Sequence, residues 1–365
     1  MPIYMDLHIA PGISAKDAAE AHREDLKIQD EYGCRCMTYW VDEERGSAFC
    51  LIDAPDKQAV REMHDRAHGL IPHEIIQVNS NVVEAFLGRI QDPDTFAQLG
   101  DADLKIFNDP AFRVIMVNTI ADSKLLRHKL GPERAKKLGS LYNSSIREQI
   151  KRFEGREVEL KGDDFIASFV SVSQAVQCAL ALQKGLHIAA ELLNLRIGIH
   201  AGMPVTKNNM IFGDAVKLAR YLCFIGKENQ IILSSIIQEL YRHDWQKLMD
   251  NAQIKGISPQ EENFLEILLN TLEDNWNDPG FGITDFAGKM TMSKSQLYRK
   301  CIGLTNLSPN SLIKEFRLYK SLNLLRSDRN IAQTTFDSGF TSPSYFAKCF
   351  QQRFGLQPLA YVKDF

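Results

Sequence analysis

Asn330-Ile331-Ala332-Gln333-Thr334-Thr335-Phe336-Asp337-Ser338 and the stretch after it, Gly339-Phe340-Thr341-Ser342-Pro343-Ser344-Tyr345-Phe346-Ala347-Lys348-Cys349-Phe350, read together as helix, tight turn, helix. Gly339 suits the left-handed residue just past a helix end. Ser342 as N-cap and Pro343 at the first helical position open the second helix. Working back along the chain, residues 284–290 carry apolar side chains at helical spacing. Ser293 then caps Lys294-Ser295-Gln296-Leu297-Tyr298-Arg299-Lys300, a second helix-turn-helix pattern. Ser308-Pro309 opens a long helix between the two pairs. Its apolar face is Leu312, Ile313, Phe316, Tyr319, Leu322 and Leu325.

Charge agrees with a phosphate-binding tail. Residues 280–365 carry 12 Lys/Arg against 5 Asp/Glu, whereas residues 1–80 carry 8 against 15, inside a net charge of -3. A basic module on an acidic chain is the electrostatic footprint of a nucleic-acid binder.

This tail resembles the AraC/XylS family of regulators, through the segment 293–300, the connecting helix, Gly339 to Phe346, Phe350, Phe354-Gly355 and Pro358. The resemblance implies that both second helices enter successive major-groove segments of duplex DNA. Residues near the start of such a helix reach base edges, so Lys294, Gln296 and Arg299 in the first unit and Ser344 and Lys348 in the second are the candidate DNA contacts. Leu297, Tyr345, Phe346 and Phe350 are expected in the core.

Ahead of the tail, two further units are expected, giving an α+β multi-domain chain. Residues 1–80 read β-α-β-β-α-β, the ferredoxin-like order. Ser14 caps the first helix, and Asp42-Glu43-Glu44-Arg45-Gly46 makes a hairpin turn. Residues 81–110, with a short helix and Asp-Pro stretches, read as a linker. Residues 111–245 alternate strands and helices, with one helix expected over 172–193. The all-helical double helix-turn-helix domain is expected over 256–365.

Five of nine histidines lie before residue 80: His8, His22, His64, His68 and His73. His64 and His68 are four apart on one helix face, a spacing that lets both reach one metal. The candidate ligands are His8, His22, His64 and His68, with His73 a spare. Imidazole suits Ni, Zn and Cu. Residues 1–78 resemble a small family of ferredoxin-like, dimeric nickel-binding proteins, through Met5-Asp6-Leu7-His8, 21–26, Tyr39-Trp40, 42–44, 49–51 and 64–69. That resemblance implies Ni²⁺; the residues alone leave Zn²⁺ open.

Residues 112–236 resemble the class III nucleotide cyclases, through 155–169, Leu195 to Gly202 and Phe212 to Ala219. That chemistry uses two carboxylates holding two metal ions around a triphosphate. The resemblance puts Asp163 at the second carboxylate but Asn118 at the first, with Asp122 one turn late. It puts Lys217 at the family's transition-state Asn, Tyr221 at its Arg with Arg220 one place early, and Glu159 at the purine-selecting position. An amide is a poor metal ligand, so a catalytically silent domain is expected. A nucleotide effector stays open, and so does an active cyclase making a cyclic nucleotide from ATP or GTP.

No secretory signal and no membrane span are visible. Seven scattered cysteines fit a reducing compartment. The expectation is a cytoplasmic, homodimeric one-component transcription regulator that binds duplex DNA and responds to a metal or small-molecule effector. A metal store with an incidental tail is a further reading.

Overall fold

The computed structural model describes residues 1–363 apart from 94–103, 160–163, 187–192, 208, 243–247, 249–252 and 328. The amino-terminal unit runs β1 (Ile3–Ile9), α1 (Ala15–Ile28), β2 (Arg35–Asp42), β3 (Ser47–Asp53), α2 (Lys57–His68) and β4 (Glu74–Val78). The sheet is antiparallel in the order β2-β3-β1-β4, the ferredoxin-like arrangement expected. Ser14 and Asp17 close a capping box at α1, and the Asp56 carboxylate caps α2. Along β1, alternation sends Tyr4, Asp6 and His8 toward the helices and Met5 and Leu7 to the other face.

That second face is not open. Met5, Leu7, Trp40, Phe49 and Leu51 pack with α3 (Ser80–Leu87) against a second sheet. Phe86 of α3 stacks at 4.7 Å on Phe212. Within the stretch read as a linker, the described residues on either side of 94–103 are packed against the folded units. Arg89 donates to Tyr39 O and Thr38 Oγ1, and Val41 N donates to Asp109 O.

The second unit comprises β5 (Arg113–Thr119), α4 (Ser123–Leu130), α5 (Pro132–Arg152), β6 (Arg156–Val158), β7 (Phe165–Phe169), α6 (Val172–Gly185), β8 (Arg196–Gly202), α7 (Gly213–Ile225), β9 (Gln230–Leu233), α8 (Ser235–Leu240) and β10 (Ile254–Gly256). The sheet order is β10-β9-β8-β5-β7-β6, with β5 antiparallel to both neighbours and β8, β9 and β10 parallel. Central β5 is covered on both faces, which is why it reads as a continuous apolar run. The helix expected over 172–193 ends at Gly185, and 187–192 lie outside the described residues. β10 was not expected; three residues carry too short a pattern to be seen.

The tail is helical: α9 (Pro259–Asn275), α10 (Ile283–Lys289), α11 (Lys294–Thr305), α12 (Pro309–Arg326), α13 (Ile331–Asp337), α14 (Pro343–Phe354) and α15 (Pro358–Lys363). Side chains of Ser258, Ser293, Ser308, Asn330 and Ser342 cap α9, α11, α12, α13 and α14. Each such cap contributes about 1 kcal/mol. Leu218, Leu222 and Ile225 of α7 share a core with Phe264, Leu265 and Leu268 of α9. The first helix-turn-helix unit therefore rests on the second sheet's helix layer. No helix among the described residues is long and apolar enough to cross a membrane.

Candidate functional site

In the amino-terminal unit the sheet and both helices deliver charged groups to one buried place. Asp6 and His8 come from β1, Asp25 from α1, and His64 and His68 from α2, which puts them one turn apart. His64 sits at the centre, fully buried. Its Nε2 lies 2.9 Å from Asp6 Oδ2 and its Nδ1 lies 3.0 Å from Asp25 Oδ1. His68 Nε2 is 3.2 Å from the same Asp25 oxygen. His8 Nε2 is 3.4 Å from Asp6 Oδ1 but buried without a hydrogen-bond partner.

Burial opposes charge here, and pairing overrules it. Burial alone would lower His64, yet the hydrogen bonds its ring donates to the Asp25 and Asp6 carboxylates raise it to about 10. Burial would raise Asp6, yet the His8 and His64 imidazoles hold it well below the carboxylate range. Asp25 is likewise held low against burial by its bonds to His64 and His68. Burial and Asp6 push the Cys50 thiol well up, so it stays protonated.

Two overlapping groups of ligand atoms lie within 4.8 Å of one another: Asp6, His8, Cys50 and His64, and Asp25, His64 and His68. Imidazole and carboxylate together are a donor set for Ni²⁺ or Zn²⁺, and the orphaned His8 nitrogen fits a ligand. His22 belongs to neither group. Its ring lies 5.2 Å from that of Tyr39, and Nε2 is 3.7 Å from Asp92 Oδ1. Both His22 nitrogens are buried without a hydrogen bond, and burial lowers its pKa. His73 Nδ1 accepts from Ile9 N at 3.1 Å. Asp6 and Asp25 join the cluster although only histidines are expected there. The signal was there: Asp6 shares a strand face with His8, and Asp25 follows His22 by one turn.

Of the residues expected to stand at nucleotide-cyclase positions, Asn118 is wholly buried on β5, with neither side-chain atom hydrogen-bonded. Asp163 lies outside the described residues. Asp122 caps α4, accepting from Lys124 N and Leu125 N. Glu159 and Lys217 are exposed. Tyr221 is buried and donates to Asn270 Oδ1 of α9 at 2.9 Å. Arg220 pairs with Asp164 at 2.7 Å.

In the tail, Lys294, Gln296, Arg299, Ser344 and Lys348 are all exposed on the second helix of their unit. Gln296 is partly committed, because its Oε1 accepts from Ser293 N at 3.0 Å. Leu297, Phe346 and Phe350 are fully buried, as expected. Tyr345 is not: it is 52% exposed, and Tyr319, expected on the apolar face of α12, is 46% exposed. Phe346, Cys349 and Phe350 mark the inward stripe of α14, and Tyr345 falls off it by roughly 100°. Tyr298 of α11 is similarly exposed, at 49%.

Residues 4–78 match the family described as nickel responsive protein SCO4226-like, and residues 286–364 match that described as helix-turn-helix domain. Among curated proteins, the chain is similar to histidine kinase P4 of Formosa agariphila, 36% identical over 106 residues, covering 29% of this chain and 8% of that protein. It is also similar to the uncharacterized HTH-type transcriptional regulator YdeC of Bacillus subtilis, 33% identical over 82 residues, covering 22% of this chain and 28% of that protein. The chain thus spans less than a third of the length of either relative. Among solved structures it is similar to an adenylate/guanylate cyclase/hydrolase from Silicibacter pomeroyi, at 25% identity and a TM-score of 0.32, covering 36% of this chain and 80% of that one.

Proposed function

We propose that this chain, an SCO4226-like domain and an AraC-type helix-turn-helix domain joined through a second α/β sheet, is a DNA-binding transcription regulator. The observation that carries the reading is the tail: two capped helix pairs, one on either side of α12, each with an exposed polar face on its second helix. Lys294 and Arg299 supply cations at the first helix, and Ser344 and Lys348 serve the second. Arg and Lys suit guanine edges, and each base-reading contact is worth about 1–3 kcal/mol of discrimination.

The amino-terminal cluster is proposed as the sensing end. Either Asp6, His8 and His64, with Cys50 beside them, or Asp25, His64 and His68 would hold a Ni²⁺ or Zn²⁺ ion, which would supply a Lewis-acidic charge tying α2 to β1 in the first case and to α1 in the second. Tyr221 and Asp122 are engaged with the tail, which supports a structural role for the second sheet rather than triphosphate chemistry. The reading includes a cytoplasmic homodimer on paired DNA sites, with effector and DNA affinities coupled reciprocally.

The test is selection of duplexes from a random pool by the full-length protein, with and without Ni²⁺ or Zn²⁺. Enrichment of paired sites at physiological salt is expected, with affinity or spacing altered by the metal. Absence of any enriched duplex overturns the regulator reading. Enrichment indifferent to both metals overturns the sensing reading.

A further inference from the structure

A cleft of about 340 Å³ opens between the two helix-turn-helix units. Gly282, ahead of α10, lines it from the first unit. Ser311, Lys314 and Arg317 line it from α12, and Thr341 and Tyr345 from the start of α14. Both units therefore contribute, together with the helix that joins them.

The cleft carries two cations, Lys314 and Arg317, and the Asp278 carboxylate attracts Arg317 without pairing with it directly. Arg317 donates to three backbone carbonyls: Trp276 O at 2.8 Å, Asp278 O at 2.6 Å and Phe281 O at 3.3 Å. These are neutral acceptors, so no ion pair cancels its charge. Lys314 has neither a hydrogen bond nor an ion pair among the described residues. Asp278 accepts from Gly280 N and Asp285 from Gly282 N, both keeping their charge, whereas Glu315 is paired with Arg353, so Lys314 is the cation of the cleft that no carboxylate among the described residues engages directly. The amino end of α12, an 18-residue helix, adds its partial positive charge at Ser311.

The position matters as much as the charge. Helix-turn-helix units present the amino end of the second helix to the bases. Thr341 lies just ahead of α14 and Tyr345 in its first turn, so the cleft opens on the side where a duplex would lie. A duplex held by α11 and α14 in successive groove segments must carry its backbone past the gap between them.

We propose that this cleft holds a DNA backbone phosphodiester between the two groove segments, with Lys314 supplying the free charge. The inference rests on the reading of the tail as a duplex binder. It predicts a contact that positions the protein without reading sequence.

The test uses the full-length protein and a duplex it has selected from a random pool, with affinity measured over about 50 to 300 mM KCl. Lys314→Ala should flatten the slope of log affinity against log salt by about 1. It should weaken selected and unrelated duplexes alike, and Lys314→Arg should restore the slope. A scan of single neutral methylphosphonates along the selected duplex should find a central position that weakens the wild type. That same position should cost Lys314→Ala nothing further. Matching circular dichroism and Tm of the variants exclude a folding defect.

An unchanged salt slope overturns the proposal, and so do losses that simply add. A third adverse result is that millimolar inorganic phosphate shifts Lys314-dependent NMR signals while the duplex slope stays put. That would make the cleft a free-anion site. Failure to select any duplex overturns the regulator reading instead, and is a separate result.

Discussion

Arg326, at the carboxyl end of α12, forms an ion pair with Asp122, the N-cap of α4, and Tyr361 Oη donates to the same carboxylate at 2.8 Å. The side chain of Asp122 is 4% exposed. The second helix-turn-helix unit is thereby fastened to the middle sheet's helices, while the first shares its core with α7. Asp122→Ala removes a cap and strips two partners, and should lower stability by about 2–3 kcal/mol. Asp122→Asn keeps the cap and should lose about half as much. Urea unfolding of both, in a double-mutant cycle with Arg326→Gln, should give a coupling of at least about 0.5 kcal/mol. Strict additivity would show that the contact contributes nothing.

Gly339→Ala should be among the most damaging single-atom additions in the tail. Gly339 has φ +74, and a Cβ there would lie 2.5 Å from Trp276 O and 2.8 Å from Arg317 Nε. Strain and collision together predict a loss of about 2–4 kcal/mol. Gly355 has φ +83 but open space around it, so Gly355→Ala should cost only about 1 kcal/mol. Chemical denaturation of the two variants checks the contrast.

For the histidine cluster, His64→Gln should weaken Ni²⁺ or Zn²⁺ binding at least about tenfold by titration calorimetry. His22→Gln should leave affinity within about twofold, because His22 stands beside Tyr39 and outside both ligand groups. Equal losses from the two substitutions would move the site.

Acid sensitivity should be legible at His200. Burial lowers its pKa to about 4, and its Nδ1 lies 2.9 Å from Ser234 Oγ. Between about pH 6.5 and 4 the unfolded chain binds a proton there that the folded chain refuses. The His200 contribution to stability should therefore fall as pH drops through that window, by up to about 3 kcal/mol, and be constant above it. Tm against pH for wild type and His200→Asn checks this, with a shallower acid limb expected for the variant.

Base reading should divide from positioning. Arg299→Ala is expected to relax preference at one base pair of a selected site by about 1–3 kcal/mol. Competition binding with single-base variants of that site reads it. Uniform weakening across all variants would reassign Arg299 to backbone contact.

Much of this was legible from residue order alone. Alternation through Tyr4-Met5-Asp6-Leu7-His8 gives β1 two different faces, and serine caps mark the helices of the tail. The histidines of the site stood out because they are rare and periodic. Asp6 and Asp25 did not, because a carboxylate in sequence looks the same whether it meets water or a buried imidazole. Tyr345 reads as inward because it stands directly before Phe346, and two adjacent aromatics leave open which of them the helical phase buries. The fate of Asp122 was out of reach: its partners Arg326 and Tyr361 lie more than two hundred residues away, and only folding brings them together.

The place of Phe86 between the two sheets sets how a signal can travel. It touches Phe212, the residue from which α7 starts, and α7 is the seat of α9. The amino-terminal unit therefore cannot swing like a paddle on a string. A tightening of β1 against its helices would be either absorbed within that layer or passed through the core the two sheets share, the Phe86–Phe212 pair within it, onto the footing of the first helix pair.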